Sequence, residues 1–93
     1  MNYHALFEKL ISEVLSGELT RKDASAMVAS KIGVDAISGG NESLLVNCEW
    51  ALRHLNEPGY YTGDSELFYL QSCLRGEIMF SVPGRDAAIS GLA

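Results

Sequence analysis

The sequence predicts an all-α domain, and three observations carry that prediction. Each long segment repeats its apolar residues at spacings of three and four, the period of a helix face. Helix-stopping chemistry falls where those segments end, at Gly17, at Gly33 and at Pro58-Gly59. No segment alternates apolar and polar residues as a half-buried strand would. The expected architecture is a single small bundle of about four helices over residues 1–82, with a flexible, frayed tail over 83–93.

The first helix is expected over Leu6 to Ser16. Leu6-Phe7, Leu10-Ile11 and Val14-Leu15 alternate with polar pairs and build one wide apolar stripe, which Gly17 closes as a C′ residue. Thr20 starts the second helix, with Asp23 three residues on as a variant of the capping box. Ala24, Met27, Val28 and Ile32 form its inner face, and small Ser25, Ala26, Ala29 and Ser30 let another backbone approach. Arg21 and Lys22 sit in the first turn, where the helix dipole disfavours positive charge. They read as solvated charges or, more sharply, as a basic spot for a carboxylate or a partner. Residues 34–43, VDAISGGNES, read as a connection; they lack the lysine and the spacing of a phosphate-binding loop.

A third helix is expected over Glu42 to Asn56, with Leu44, Leu45, Cys48, Ala51, Leu52 and Leu55 on one face. The stretch EPGYYTGDSELF then turns the chain. Pro58, Gly59 and Gly63 make it tight, and Tyr60 and Tyr61 serve first to tie it down and second to make contacts. Asp64 is the expected N-cap of a fourth helix carrying Leu67, Leu70, Leu74 and Ile78, which Gly76 either weakens or breaks. The expected core is Leu6, Leu10, Val14, Met27, Val28, Leu44, Cys48, Leu52, Leu55, Leu67, Leu70 and Leu74.

Helices three and four carry a second apolar set. Val46 and Trp50 lie opposite the leucine face of the third; Tyr69, Cys73 and Phe80 lie off the stripe of the fourth. A helix with two apolar faces is either central or meets another chain, and 93 residues are few with which to cover both. The expectation is a homodimer joined through these faces. The interface candidates are Val46, Trp50, Tyr69, Cys73 and Phe80, with Tyr60 and Tyr61 at the rim, and Trp50 and Tyr69 are the anchors.

A hydrophobic fraction of 47% with 20% charged residues describes a folding chain rather than a disordered one. The net charge of −5 and seven scattered basic residues argue against nucleic acid as a partner and suit a basic protein. Cys48 and Cys73 lie in apolar segments without CxxC spacing, which reads as two reduced thiols and a cytoplasmic setting. Nothing resembles a signal peptide or a membrane span. His4 and His54 lack ligand spacing, so no metal, cofactor or catalytic set is expected, and Glu49 and Arg53 read as a surface i,i+4 ion pair. The leading functional expectation is a noncatalytic cytoplasmic protein-interaction module. The alternative is a small enzyme or ligand-binding protein using Cys48, His54 or the tyrosine turn.

The segment SGELTRKDASAMVA and the later NCEWALRHLNEPGYYTGDSELFYLQSCL together resemble small all-helical bacterial proteins of uncharacterised families. Gly17-Glu18-Leu19-Thr20-Arg21 with Ala24 match the turn between the first helices of those proteins, and Trp50-Ala51-Leu52 match a later helix that leads to an aromatic-bearing turn. The resemblance implies an immunity-type or regulatory role and carries no catalytic residues.

Overall fold

The computed structural model describes residues 2–31, 43–56 and 62–89. Five helices lie among them and no strand: α1 (Tyr3–Ser16), α2 (Arg21–Lys31), α3 (Ser43–Arg53), α4 (Asp64–Leu74) and α5 (Val82–Ile89). Helices α1 to α4 pack on one another as a four-helix body, as the periodicity predicts, while α5 lies along α4.

Local chemistry sets the helix ends. Asn2 caps α1, its Oδ1 accepting the Ala5 N–H at 3.1 Å, so the helix begins three residues earlier than its apolar pattern. Thr20 caps α2 as expected, its Oγ1 accepting the Asp23 N–H at 3.1 Å. Gly76 ends α4 outright. With φ at 78° it takes a left-handed conformation that a side chain would oppose, and the N–H groups of Gly76 and Glu77 bond the carbonyls of Cys73 and Ser72 at 3.1 and 3.0 Å. That pair of bonds is the Schellman closure. Ile78 therefore lies beyond α4 and is exposed, not part of its inner stripe.

Two expectations at the ends are corrected. Asp64 is the first residue of α4 rather than its N-cap; Gly63 holds the cap position in an extended conformation, with no side-chain cap. The Asp64 carboxylate instead takes the Arg21 guanidinium at 2.8 Å. The chain after Pro83 is not a frayed tail as far as residue 89. Ser81 caps α5 by accepting the Gly84 N–H at 3.0 Å, Pro83 sits in the first turn, where its missing N–H costs nothing, and Ala88 is fully buried.

The core consists of Phe7, Leu10, Ile11, Ala24, Val28, Leu44, Cys48, Ala51, Leu52, Leu55, Leu67, Tyr69, Leu70, Cys73 and Ala88. Leu6, Val14, Met27 and Leu74, expected inside, are only half-buried against it. Helix α1 packs against α2, α3 and α4 at once, and that rotation centres its buried face on Phe7 and Ile11 rather than one residue to either side.

Polar ties fix how the helices meet. Thr62, fully buried, donates its hydroxyl to the Ala51 carbonyl at 2.9 Å, and its own carbonyl accepts from Arg21. One residue thus joins the end of α3, the start of α2 and the approach to α4. Ser25 donates to the Arg53 carbonyl, which shows how closely α2 approaches the end of α3. Between α1 and α4, Glu8 Oε1 accepts from Ser12 at 3.0 Å and from Arg75 at 2.9 Å, and Gln71 donates to Ser12 Oγ at 2.7 Å. Partial burial pushes the Glu8 carboxyl up, but the bonds from Arg75, Ser12 and Gln71 and the Arg75 charge outweigh it and hold the group below its ordinary value.

Two outcomes follow. Thr62→Val keeps the shape but strands the Ala51 carbonyl, so urea unfolding should show a loss of about 1–3 kcal/mol with an unchanged m-value. The Glu8 carboxyl is lowered in the folded state, so its contribution is complete above the unfolded value of about 4.3 and fades as pH falls through the folded value. Glu8→Gln should therefore lower stability at pH 7 and flatten the acid limb below about pH 4, as read from thermal midpoints against pH.

Candidate functional site

Helix α3 presents Val46 and Trp50 outward, each 37% exposed. They are i and i+4, so they share one strip of the helix surface. The Trp50 ring lies between two neighbours. His54, one turn on, stacks at 4.3 Å between centroids with a 37° tilt, and its Nδ1 lies 2.7 Å from the Trp50 carbonyl. The carbonyl can only accept, so this contact asks for the proton on Nδ1. From α5, the Arg85 guanidinium sits 5.6 Å above the indole centroid, a cation–π distance. Val46, Asn47, Trp50, Arg85 and Ile89 line a groove of about 310 Å³.

The other interface candidates fall elsewhere. Tyr69 and Cys73, expected as an outward anchor and its neighbour, are turned inward at 8% and 6% exposure. Segment 80–89 covers Tyr69, and the Cys73 thiol lies beside the Tyr69 hydroxyl. Phe80 packs on the Tyr69 ring at 6.1 Å, and the Tyr69 hydroxyl both donates to the Ser81 carbonyl at 3.2 Å and accepts the Ser81 N–H at 2.9 Å. Phe80 is thus half-spent on an internal contact. Tyr60 and Tyr61 lie outside the described residues.

A second apolar surface was not among the sequence candidates. Phe68 is 57% exposed and lines, with Ser65, Tyr69, Ser72 and Ile78, a further groove of about 310 Å³. Met79 and Val82 stand exposed in the segment that follows. At 100° per residue, Phe68 and Tyr69 lie about 130° to either side of the Leu67–Leu70–Leu74 stripe. Nothing local distinguishes them; α5 covers the Tyr69 side and leaves Phe68 in water.

The chemical candidates resolve as follows. Cys48 is fully buried in the core, where a thiol packs as a small hydrophobe and meets no substrate. Burial pushes the Cys73 thiol up, only partly opposed by the Tyr69 hydroxyl beside it, so it stays protonated. Glu49 pairs with Arg53 at 2.8 Å, but not as a surface pair, because Glu49 is almost fully buried. No group of three or more His, Cys, Asp or Glu side chains suited to a metal occurs among the described residues. Arg21, the basic spot at the start of α2, takes a carboxylate of its own chain.

The four arginines share one fate. Arg21 pairs with Asp64, Arg53 with Glu49, Arg75 with Glu8 and Arg85 with Glu66. Of the seven basic and twelve acidic residues, these pairs take four of each, leaving three lysines and eight carboxylates outside them. The net charge of the whole chain is −5.

Because Phe68 and Ile78 are each about half exposed, Phe68→Ser and Ile78→Ser should each cost no more than about 1 kcal/mol of stability by chemical denaturation. A larger loss would show that these side chains are held inside.

Comparison with protein-family models, with characterised proteins and with solved structures finds no match, so the functional reading rests on the geometry of this chain.

Proposed function

We propose that the chain is a noncatalytic cytoplasmic protein-interaction module, immunity-type or regulatory in role, that pairs with a second copy of itself through the outer face of α3. One observation carries the reading: Val46, Trp50 and Ile89 stand half-exposed around one groove, in a chain short enough to need most of its apolar residues inside. An exposed indole with an aliphatic residue one turn away is the composition of an interface anchor. The pairing differs from the sequence expectation in its members. Tyr69 and Cys73 serve the chain's own packing, so Trp50 is the anchor, with Val46 and Ile89 beside it.

Two further features support the reading. The net charge of −5 favours a basic protein as the regulated partner and disfavours nucleic acid. Neither cysteine is in a disulfide and both are buried, in keeping with a reducing compartment, and no helix among the described residues is long and apolar enough to cross a membrane.

Light scattering at high micromolar concentration should give the mass of two chains. Trp50→Glu should weaken the pairing by about 2 kcal/mol or more while leaving the helical circular dichroism unchanged. A single-chain mass for the wild type at that concentration would overturn the pairing.

A further inference from the structure

Helix α5 is attached unlike the other four. Helices α1 to α4 are joined pairwise around the core, whereas α5 packs on α4 and meets α3 through the Arg85 side chain over Trp50. Its own apolar contribution is small. Ala88 is its one buried residue, while its two largest aliphatic side chains, Val82 and Ile89, face outward at 60% and 50% exposure. Polar links hold it instead. The Tyr69 hydroxyl bonds both the N–H and the carbonyl of Ser81, and Arg85 Nε meets Glu66 Oε2 at 3.0 Å.

Both links favour a reversible contact. The Glu66 carboxylate is almost fully buried, so closing α5 takes two charges out of water, and that cost offsets much of their attraction. If α5 leaves, Glu66, Arg85, Tyr69 and Ser81 all regain water. A hinge is present in the chain before it. Gly76 turns the backbone at φ 78°, and residues 77–79 are exposed, Met79 at 91%. Under the closed segment lies Tyr69, with Phe80 of the segment packed on its ring, and the Cys73 thiol sits beside the Tyr69 hydroxyl that bonds Ser81.

We propose that α5 is a detachable strap: residues 80–89 leave α4 as a unit while α1 to α4 stay folded, baring Tyr69, Cys73 and Glu66. Closed, the strap supplies Arg85 and Ile89 as two of the five residues around the Trp50 groove; open, it dismantles that groove. Strap opening therefore competes with any contact made there. The strap is a property of the isolated chain and does not rest on the proposed partner.

The two cysteines measure it. Cys48 lies in the core of the body and reports global unfolding; Cys73 reports the strap. In the wild type at low micromolar concentration, a bulky thiol reagent read by peptide mass spectrometry should label Cys73 roughly tenfold or more faster than Cys48 in dilute urea. Hydrogen exchange should show the amides of 85–89 opening with Cys73 and well ahead of those in α1. Equal labelling rates, or α5 amides that exchange only with α1, would mean that the helix opens only by global unfolding and would sink the proposal. Gly84→Ala sharpens the test, because a Cβ at Gly84 meets Tyr69 Oη at 2.5 Å, so the contact between that hydroxyl and α5 must give way. In that variant Cys73 labelling should rise roughly tenfold further, with Cys48 unchanged. A parallel rise at both cysteines, or failure of the variant to fold, would make α5 an integral part of the core.

Discussion

One helix of eleven residues, α4, has to be covered on three sides at once, and the rest of the molecule is arranged around that demand. Leu67 and Leu70 face the core shared with α1 and α3; Gln71 turns to the polar seam of α1; Glu66, Tyr69 and Cys73 turn to segment 80–89. Only the strip carrying Ser65 and Phe68 remains in water. A surface helix of a small bundle normally needs one apolar stripe. Here the central position falls to the fourth helix, and the last stretch of chain turns back to cover the side that α1 and α3 leave open.

The charged residues show a matching economy of direction. Three arginines tie two parts of the chain: Arg21 ties α2 to the start of α4, Arg75 ties α4 to α1 and Arg85 ties α5 to α4, while Arg53 locks Glu49 within α3. Ion pairs of this kind add little net stability once their desolvation is counted. Their effect here is on arrangement. An apolar stripe tolerates a rotation of some tens of degrees, but a guanidinium that must reach a particular carboxylate does not. The knot of Arg21, Thr62 and Asp64 is the clearest case, since one misplaced turn would leave a buried hydroxyl and a carbonyl unsatisfied.

The helices themselves were legible in the sequence, because their signals are local. The stripes of α1, α3 and α4, the cap at Thr20 and the stop at Gly17 all follow from spacing and side-chain chemistry within a few residues. What stayed hidden depends on distant partners. Phe7 rather than Leu6 lies at the centre of α1 because three helices set its rotation. Phe68 and Tyr69 are symmetric about their stripe until α5 covers one of them. Helix α5 itself is rich in Gly, Ala and Pro and reads as a tail, because the groups that hold it, Glu66 and Tyr69, lie more than a dozen residues before its own interior. For the candidate surface, Val46 and Trp50 were readable as surplus to the core. Tyr69 and Cys73 were surplus too, but the surface they require is supplied by the same chain.

The position of Trp50 has an optical consequence. It is the only tryptophan, so all indole emission from the chain arises at one place, on α3 beside His54 and beneath Arg85. A cation close to an excited indole shifts the energy of its charge-separated state. The colour of the intrinsic fluorescence therefore encodes the position of Arg85, and with it of α5, without any label attached to the chain.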